Sequence, residues 1–189
     1  MSNFEKRFQQ IFDRLCDEDY STALTLICPL IDSAGKKIYG IKKPGERFKK
    51  VLTDNNSFLY WMMSNGIFIM EDGADLIFSR DNKGAVNLSQ SIYKFVRNSL
   101  LHEAELSAEI EFVDEGRIGP DGDRVVFPKN LIWALAFMLT YLECYSNDCP
   151  KNYSLSISGI PMPLSKVWGN KEEVMNFFND NFYKKPRIS

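Results

Sequence analysis

Apolar residues near the start of the chain recur three and four positions apart: Phe4, Phe8, Ile11, Phe12 and Leu15. That spacing lines one face of a helix, with Ser2 or Asn3 in a capping position. A second helix is expected from about Asp19, through ALTLICPLIDSA, to Gly35. It is apolar nearly all round and therefore central, with Pro29 as a kink point and Gly35 as its stop. KKIYGIKKPGERFKK opens as a loop around Gly40, Pro44 and Gly45, and a short helix follows to Leu52. SFLYWMMSNG reads as a further short helix ending at Gly66. IFIM and LIFS, on either side of the turn EDGAD, read as short extended pieces.

From Asn87 or Ser89 a helix is expected to run to about Glu105. The period then changes. EIEFVD and RVVFP alternate and are rich in β-branched residues, and EGRIGPDGD between them is full of turn residues, so residues 109–128 read as a β-hairpin. KNLIWALAFMLTYLECYS is strongly apolar and helical. The tail holds a possible strand, YSLSISG, and a final helix from Asn170 to about Phe182. The expected fold class is mainly α: an antiparallel helical bundle with an inserted hairpin and a short C-terminal strand and helix.

Composition changes this picture little. A chain of 189 residues suits one domain, here 1–189, with a core at about 4–145 and an extension at 150–189. Net charge is −2, so there is no global attraction to polyanions and any such site must be local. The apolar run Leu131–Leu142 is too short for a bilayer span, which needs about 20 residues. The four cysteines at 16, 28, 144 and 149 form no CxxC, and with one histidine there is no zinc-ligand set. Free thiols in a reducing cytoplasm are the simplest reading, although Cys144 and Cys149 could bridge under oxidising conditions. SNFEKRFQQ is polar and charged, unlike a secretory signal. PDGD at 120–123 has the wrong spacing for a calcium loop and fits a turn. No metal and no cofactor are expected.

The single histidine, His102, lies in VRNSLLHEAEL together with Arg97 and Asn98. On an α-helix with Ile92 at zero, Phe95, Val96, Ser99, Leu100 and Leu106 form the buried stripe. Arg97 falls at about 140° and His102 at about 280°, flanking an outward face that holds Lys94, Asn98, Leu101 and Glu105. The two therefore diverge on one helix. Either Arg97 bends round, or two copies meet across a two-fold axis and pool their side chains. Histidine, arginine and an amide without metal suit phosphodiester cleavage of RNA. The imidazole titrates near neutrality, the guanidinium clamps a phosphate, and the amide orients either one.

R-N-S-L-L-H resembles the R-x4-6-H signature of the HEPN superfamily, whose arginine is typically followed by a polar residue such as Asn98. The resemblance covers about residues 4–145; the hairpin is an insertion relative to a minimal HEPN bundle. It implies an α-helical bundle, a homodimer and a composite metal-independent ribonuclease site. Arg97 and His102 would be catalytic, with Asn98 in support. It also implies a cytoplasmic, prokaryotic setting in toxin–antitoxin or phage defence, with an antitoxin or neighbouring protein as partner and no membrane. The alternative within the family is a non-catalytic module that binds a nucleotide or a protein; a third reading makes the motif an incidental part of a dimer interface.

A second feature is basic. Lys36, Lys37, Lys42, Lys43, Arg47, Lys49 and Lys50 face Glu46 alone, a local excess of six positive charges. Such a run is most often a solvated face. Beside a ribonuclease site it becomes an RNA track, with Lys36, Lys37, Lys42, Lys43 and Arg47 as substrate contacts and Tyr39 as a stacking ring. Asp32, at the end of the second helix, is a candidate to orient His102 or pair with Arg97, or simply a solvent-facing aspartate. Glu105 is a candidate partner for Arg97 across a dimer, or ordinary surface charge.

Overall fold

The computed structural model describes residues 3–71, 74–81, 84–114, 116–149, 154–186 and 188. The Ser2 capping position lies outside them. Helix α1 spans Asn3–Cys16 and α2 spans Tyr20–Tyr39, capped by Asp19, whose side chain accepts from the Thr22 amide. The expected stop at Gly35 is corrected: α2 runs one turn further and ends at Gly40, which adopts the left-handed conformation (φ 65°). Gly35 is buried inside the helix, where its lack of a Cβ admits the backbone of α3. Helix α3 spans Pro44–Asp54, with Pro44 in the first turn, where its missing N–H costs nothing. Helix α4 spans Asn56–Met63.

The stretches at 67–71 and 74–78 have no regular structure, the centre of the expected turn at 72–73 lies outside the described residues, and strands β1 (Ser79–Asp81) and β2 (Gly84–Val86) pair after them. Asn87 caps the next helix by accepting from the Gln90 amide. That helix has three parts: α5 (Leu88–Ser91), a π-helical segment (Ile92–Asn98) and α6 (Ser99–His102). It stops at His102 rather than Glu105, because Ala104 takes a left-handed backbone (φ 58°).

The expected fold class is corrected here. The chain is helix-rich but mixed α/β, with three small sheets among the described residues, and is not an all-helical bundle. Nor is 109–128 a simple hairpin. Strand β3 (Ile110–Val113) runs parallel to β5 (Arg124–Pro128), and β4 (Gly119–Asp121) pairs with β5 antiparallel. The tight reversal is at Gly122–Asp123, with Gly122 at φ 59°, so β5 takes β4 as its hairpin partner. The preceding strand then reaches the opposite edge of β5, and the three lie in the order β3-β5-β4.

Helix α7 (Asn130–Tyr141) is buried along almost its whole length and packs between α2 and α4. A 3-10 turn (Glu143–Asp148) leads on, and β6 (Ser154–Ile157) pairs with β7 (Ile160–Pro163). The expected lone C-terminal strand thus has a partner, IPMP, disguised by its two prolines. Helices α8 (Leu164–Val167) and α9 (Lys171–Asn181) close the chain. This tail packs into the main core. The Trp168 ring lies 4.6 Å edge-on from Phe8 and its indole N–H donates to the Tyr145 carbonyl, while Phe178 packs against Phe58 and Trp61.

Candidate nucleic-acid interface

A π-helical segment has i→i+5 bonding and a wider turn than an α-helix, so the angle per residue over Ile92–Asn98 is smaller than in an α-helix. The angles that α-helical arithmetic gives for Arg97 therefore do not carry over unchanged. Arg97 is partly buried. Its guanidinium lies 5.4 Å from the centre of the Tyr93 ring, and its Nη1 donates to Asn98 Oδ1 at 3.0 Å. It is close enough to the thiol of Cys28, on α2, to oppose the effect of burial there. Burial dominates and pushes Cys28 up to about 12.

Arg97 therefore has an amide and an aromatic ring for company. Among the described residues it makes no ion pair. A partly buried guanidinium held by neutral groups keeps its full charge and its appetite for an oxyanion.

Lysine joins it from the neighbouring helix. Lys49 of α3 sits 5.6 Å from the centre of the same Tyr93 ring, and its Nζ reaches Gln90 Oε1 at 3.4 Å. The first turn of α3 abuts this ring so closely that a Cβ on Gly45 would come within 2.7 Å of the Tyr93 hydroxyl oxygen. Tyr93 thus ties the basic segment to the Arg97 helix. Tyr93 and Gln90 escaped attention in the sequence, and Lys49 was counted in the basic run but not among the substrate contacts; the available signal was Tyr93, one helical turn before Arg97.

The remaining candidates divide. His102 is exposed at the end of α6 beside exposed Leu101, and among the described residues it has no hydrogen-bond or ion-pair partner. No contact within the described chain joins it to Arg97. Asp32 is committed elsewhere: Arg47 Nε donates to its Oδ1 at 3.0 Å and Nη2 to its Oδ2, so it serves neither His102 nor Arg97. Glu105 is exposed and off the helix, beyond the reversal at Ala104.

In the basic segment Lys43 pairs with Glu46, Lys50 with Asp54 and Arg47 with Asp32. Lys37 donates to the Cys144 carbonyl and lies over the Tyr145 ring. Lys36 and Lys42 are exposed and make no ion pair among the described residues. Tyr39 is not a free stacking surface: its hydroxyl donates to Asp54 at 2.6 Å and Lys50 covers its ring.

Among the described residues no group of three or more His, Cys, Asp or Glu is placed to hold a metal, and no helix is long and apolar enough to cross a membrane. One family model, Rv1289, matches residues 3–188. No curated protein matches, and no solved structure does.

Proposed function

The chain belongs to the Rv1289 family over nearly its whole length, and from the site itself we propose that it is a metal-independent, HEPN-type endoribonuclease acting as a homodimer. The observation that carries this reading is Arg97: partly buried, flanked by Asn98 and Tyr93, and without a carboxylate among the described residues. An RNA phosphate is the anion that completes it, and Lys49 on the same ring together with Lys42 and Lys36 extends the positive surface along the backbone.

His102 supplies the proton chemistry. Its imidazole removes the ribose 2′ proton, and the 2′ oxygen attacks phosphorus. Arg97 and Asn98 hold the charge on the non-bridging oxygens. The 5′ oxygen leaves with a proton from a second imidazole, yielding a 2′,3′-cyclic phosphate and a 5′-hydroxyl. Two copies meeting across the surface that carries exposed Leu101 bring the two histidines together.

The separation of Arg97 from His102 within one chain favours a second reading, a HEPN-like module that binds a nucleotide or RNA and does not cut. A single experiment decides. Labelled mixed-sequence RNA is incubated in EDTA with wild type, His102→Ala and Arg97→Gln, each checked for fold and mass. Cutting by wild type that both variants lose supports the nuclease. Binding without cutting, weakened only in Arg97→Gln, supports the module. Equal behaviour of all three proteins sinks both readings.

A further inference from the structure

Four contacts join five side chains of the Arg97 surface in a row: Gln90 to Lys49, Lys49 to Tyr93, Tyr93 to Arg97 and Arg97 to Asn98. All five are half-buried, held by neighbours yet reached by solvent. The two cations come from different helices, Lys49 from α3 and Arg97 from the π-helical segment, and meet on one ring. They lie 5.6 Å and 5.4 Å from its centre, so the two charges are at most the sum of those distances apart.

Two like charges this close repel, and the chain supplies no acid to offset them. Among the described residues neither makes an ion pair, and the acids on α3 are taken: Glu46 pairs with Lys43 and Asp54 with Lys50. Donors are in surplus as well. Lysine and arginine only donate, so each amide turns its oxygen to the cation, Gln90 Oε1 to Lys49 and Asn98 Oδ1 to Arg97. Gln90 Nε2, Asn98 Nδ2 and the Tyr93 hydroxyl then have no acceptor among the described residues. Two cations beside free donors, with no carboxylate, form a surface that two phosphates complete.

We propose that this surface binds two consecutive phosphates of an RNA strand at fixed places, one at Arg97 and Asn98 and the next at Lys49 and Gln90. The proposal rests on the reading of Arg97 as an RNA phosphate contact and adds the register of the strand on it. Lys49 is held by two contacts, whereas Lys36 and Lys42 stand exposed, so Lys49 offers a preorganised place rather than a diffuse charge. A nucleoside diphosphate also carries two phosphates, joined through a single oxygen. Cations carried by separate helices favour the wider spacing of a strand.

The test is calorimetric titration of the full chain with a 2′-O-methyl uridine trimer, which carries two phosphates and cannot be cut, and with the same trimer bearing one neutral methylphosphonate linkage. The charged trimer is expected to bind at least about tenfold tighter, the lower end for a charge-assisted hydrogen bond. Lys49→Gln removes that advantage and leaves affinity for the methylphosphonate trimer near wild type. Lys6→Gln, the same loss of charge at an exposed position on α1, leaves the advantage intact. Equal affinity of wild type for the two trimers overturns the proposal. So does an advantage that survives in a folded Lys49→Gln or falls as far in Lys6→Gln, and so does uridine diphosphate binding as tightly as the charged trimer. Under each of these outcomes Arg97→Gln still weakens binding of RNA if Arg97 is a phosphate contact. An Arg97→Gln protein that binds RNA as wild type does removes that reading too. The probe pair requires no variant, so a misfolded Lys49→Gln leaves the test intact.

Discussion

Gly35 of α2 lies against Arg47 of α3 so closely that a Cβ on the glycine would stand 2.6 Å from the Arg47 carbonyl oxygen. The same arginine reaches back to grip Asp32 on α2 with both Nε and Nη2. Backbone contact and ion pair together set the approach of the two helices, and so the position of Lys49 relative to Tyr93. Alanine in place of a helical glycine ordinarily gains about 1 kcal/mol. Here the neighbour is backbone and cannot swing aside, and overpacking costs about 1–3 kcal/mol. Gly35→Ala is expected to lower the melting temperature by several degrees, read by calorimetry. A rise would mean that the helices separate without penalty.

Arg97 contributes one phosphate contact per copy if it binds RNA. Each contact to a single strand adds about 0.7 to the slope of log K against log salt. Arg97→Gln is expected to flatten that slope by this amount per copy and to weaken binding alike for all sequences. Arg97→Lys keeps the charge but loses the planar fork, so it retains the slope with reduced affinity. Fluorescence anisotropy across a salt series measures both, and an unchanged slope in Arg97→Gln removes Arg97 from the interface.

Tyr60, Tyr141 and Tyr145 are buried, and burial holds each phenol well above its ordinary range. Tyr60 also donates to Asp75 at 2.7 Å, which raises it further. In the unfolded chain these groups ionise near pH ~10. Above that pH the native state keeps protons that the unfolded state has released, so stability falls as pH rises. Each tyrosine contributes about 1.4 kcal/mol per pH unit over the window between the unfolded and folded values, and nothing below it. Spectrophotometric titration is expected to show these three ionising only with cooperative unfolding. Ionisation of all eight tyrosines before any loss of far-UV signal would contradict their burial.

The thiols divide in the same way. Cys16 is exposed, whereas burial pushes Cys28 up to about 12 and Cys144 to about 11. The nucleophile is the thiolate, so Ellman's reagent at neutral pH is expected to label Cys16 first and Cys28 only on global unfolding. Mass spectrometry of partly labelled protein reports the order.

The sequence by itself determined the helices whose apolar spacing repeats over three or more turns. Helix α1 buries Phe8, Ile11, Phe12 and Leu15 as that spacing predicts, α7 is central because it is apolar all round, and α9 begins at its Asn170 cap. Period and capping are local physics, carried by residues a few positions apart. What only the tertiary structure decided were non-local relationships. The parallel pairing of β3 with β5 depends on which edge of β5 remains after Gly122 has turned β4 onto it. The use of Gly35 as a contact rather than a stop depends on α3 arriving beside it. The π-helical segment at Ile92–Asn98, which resets the angles around Arg97, has no signature in composition or spacing. Asp32 was legible as an acid needing a partner, but its partner was settled by how α3 packs on α2.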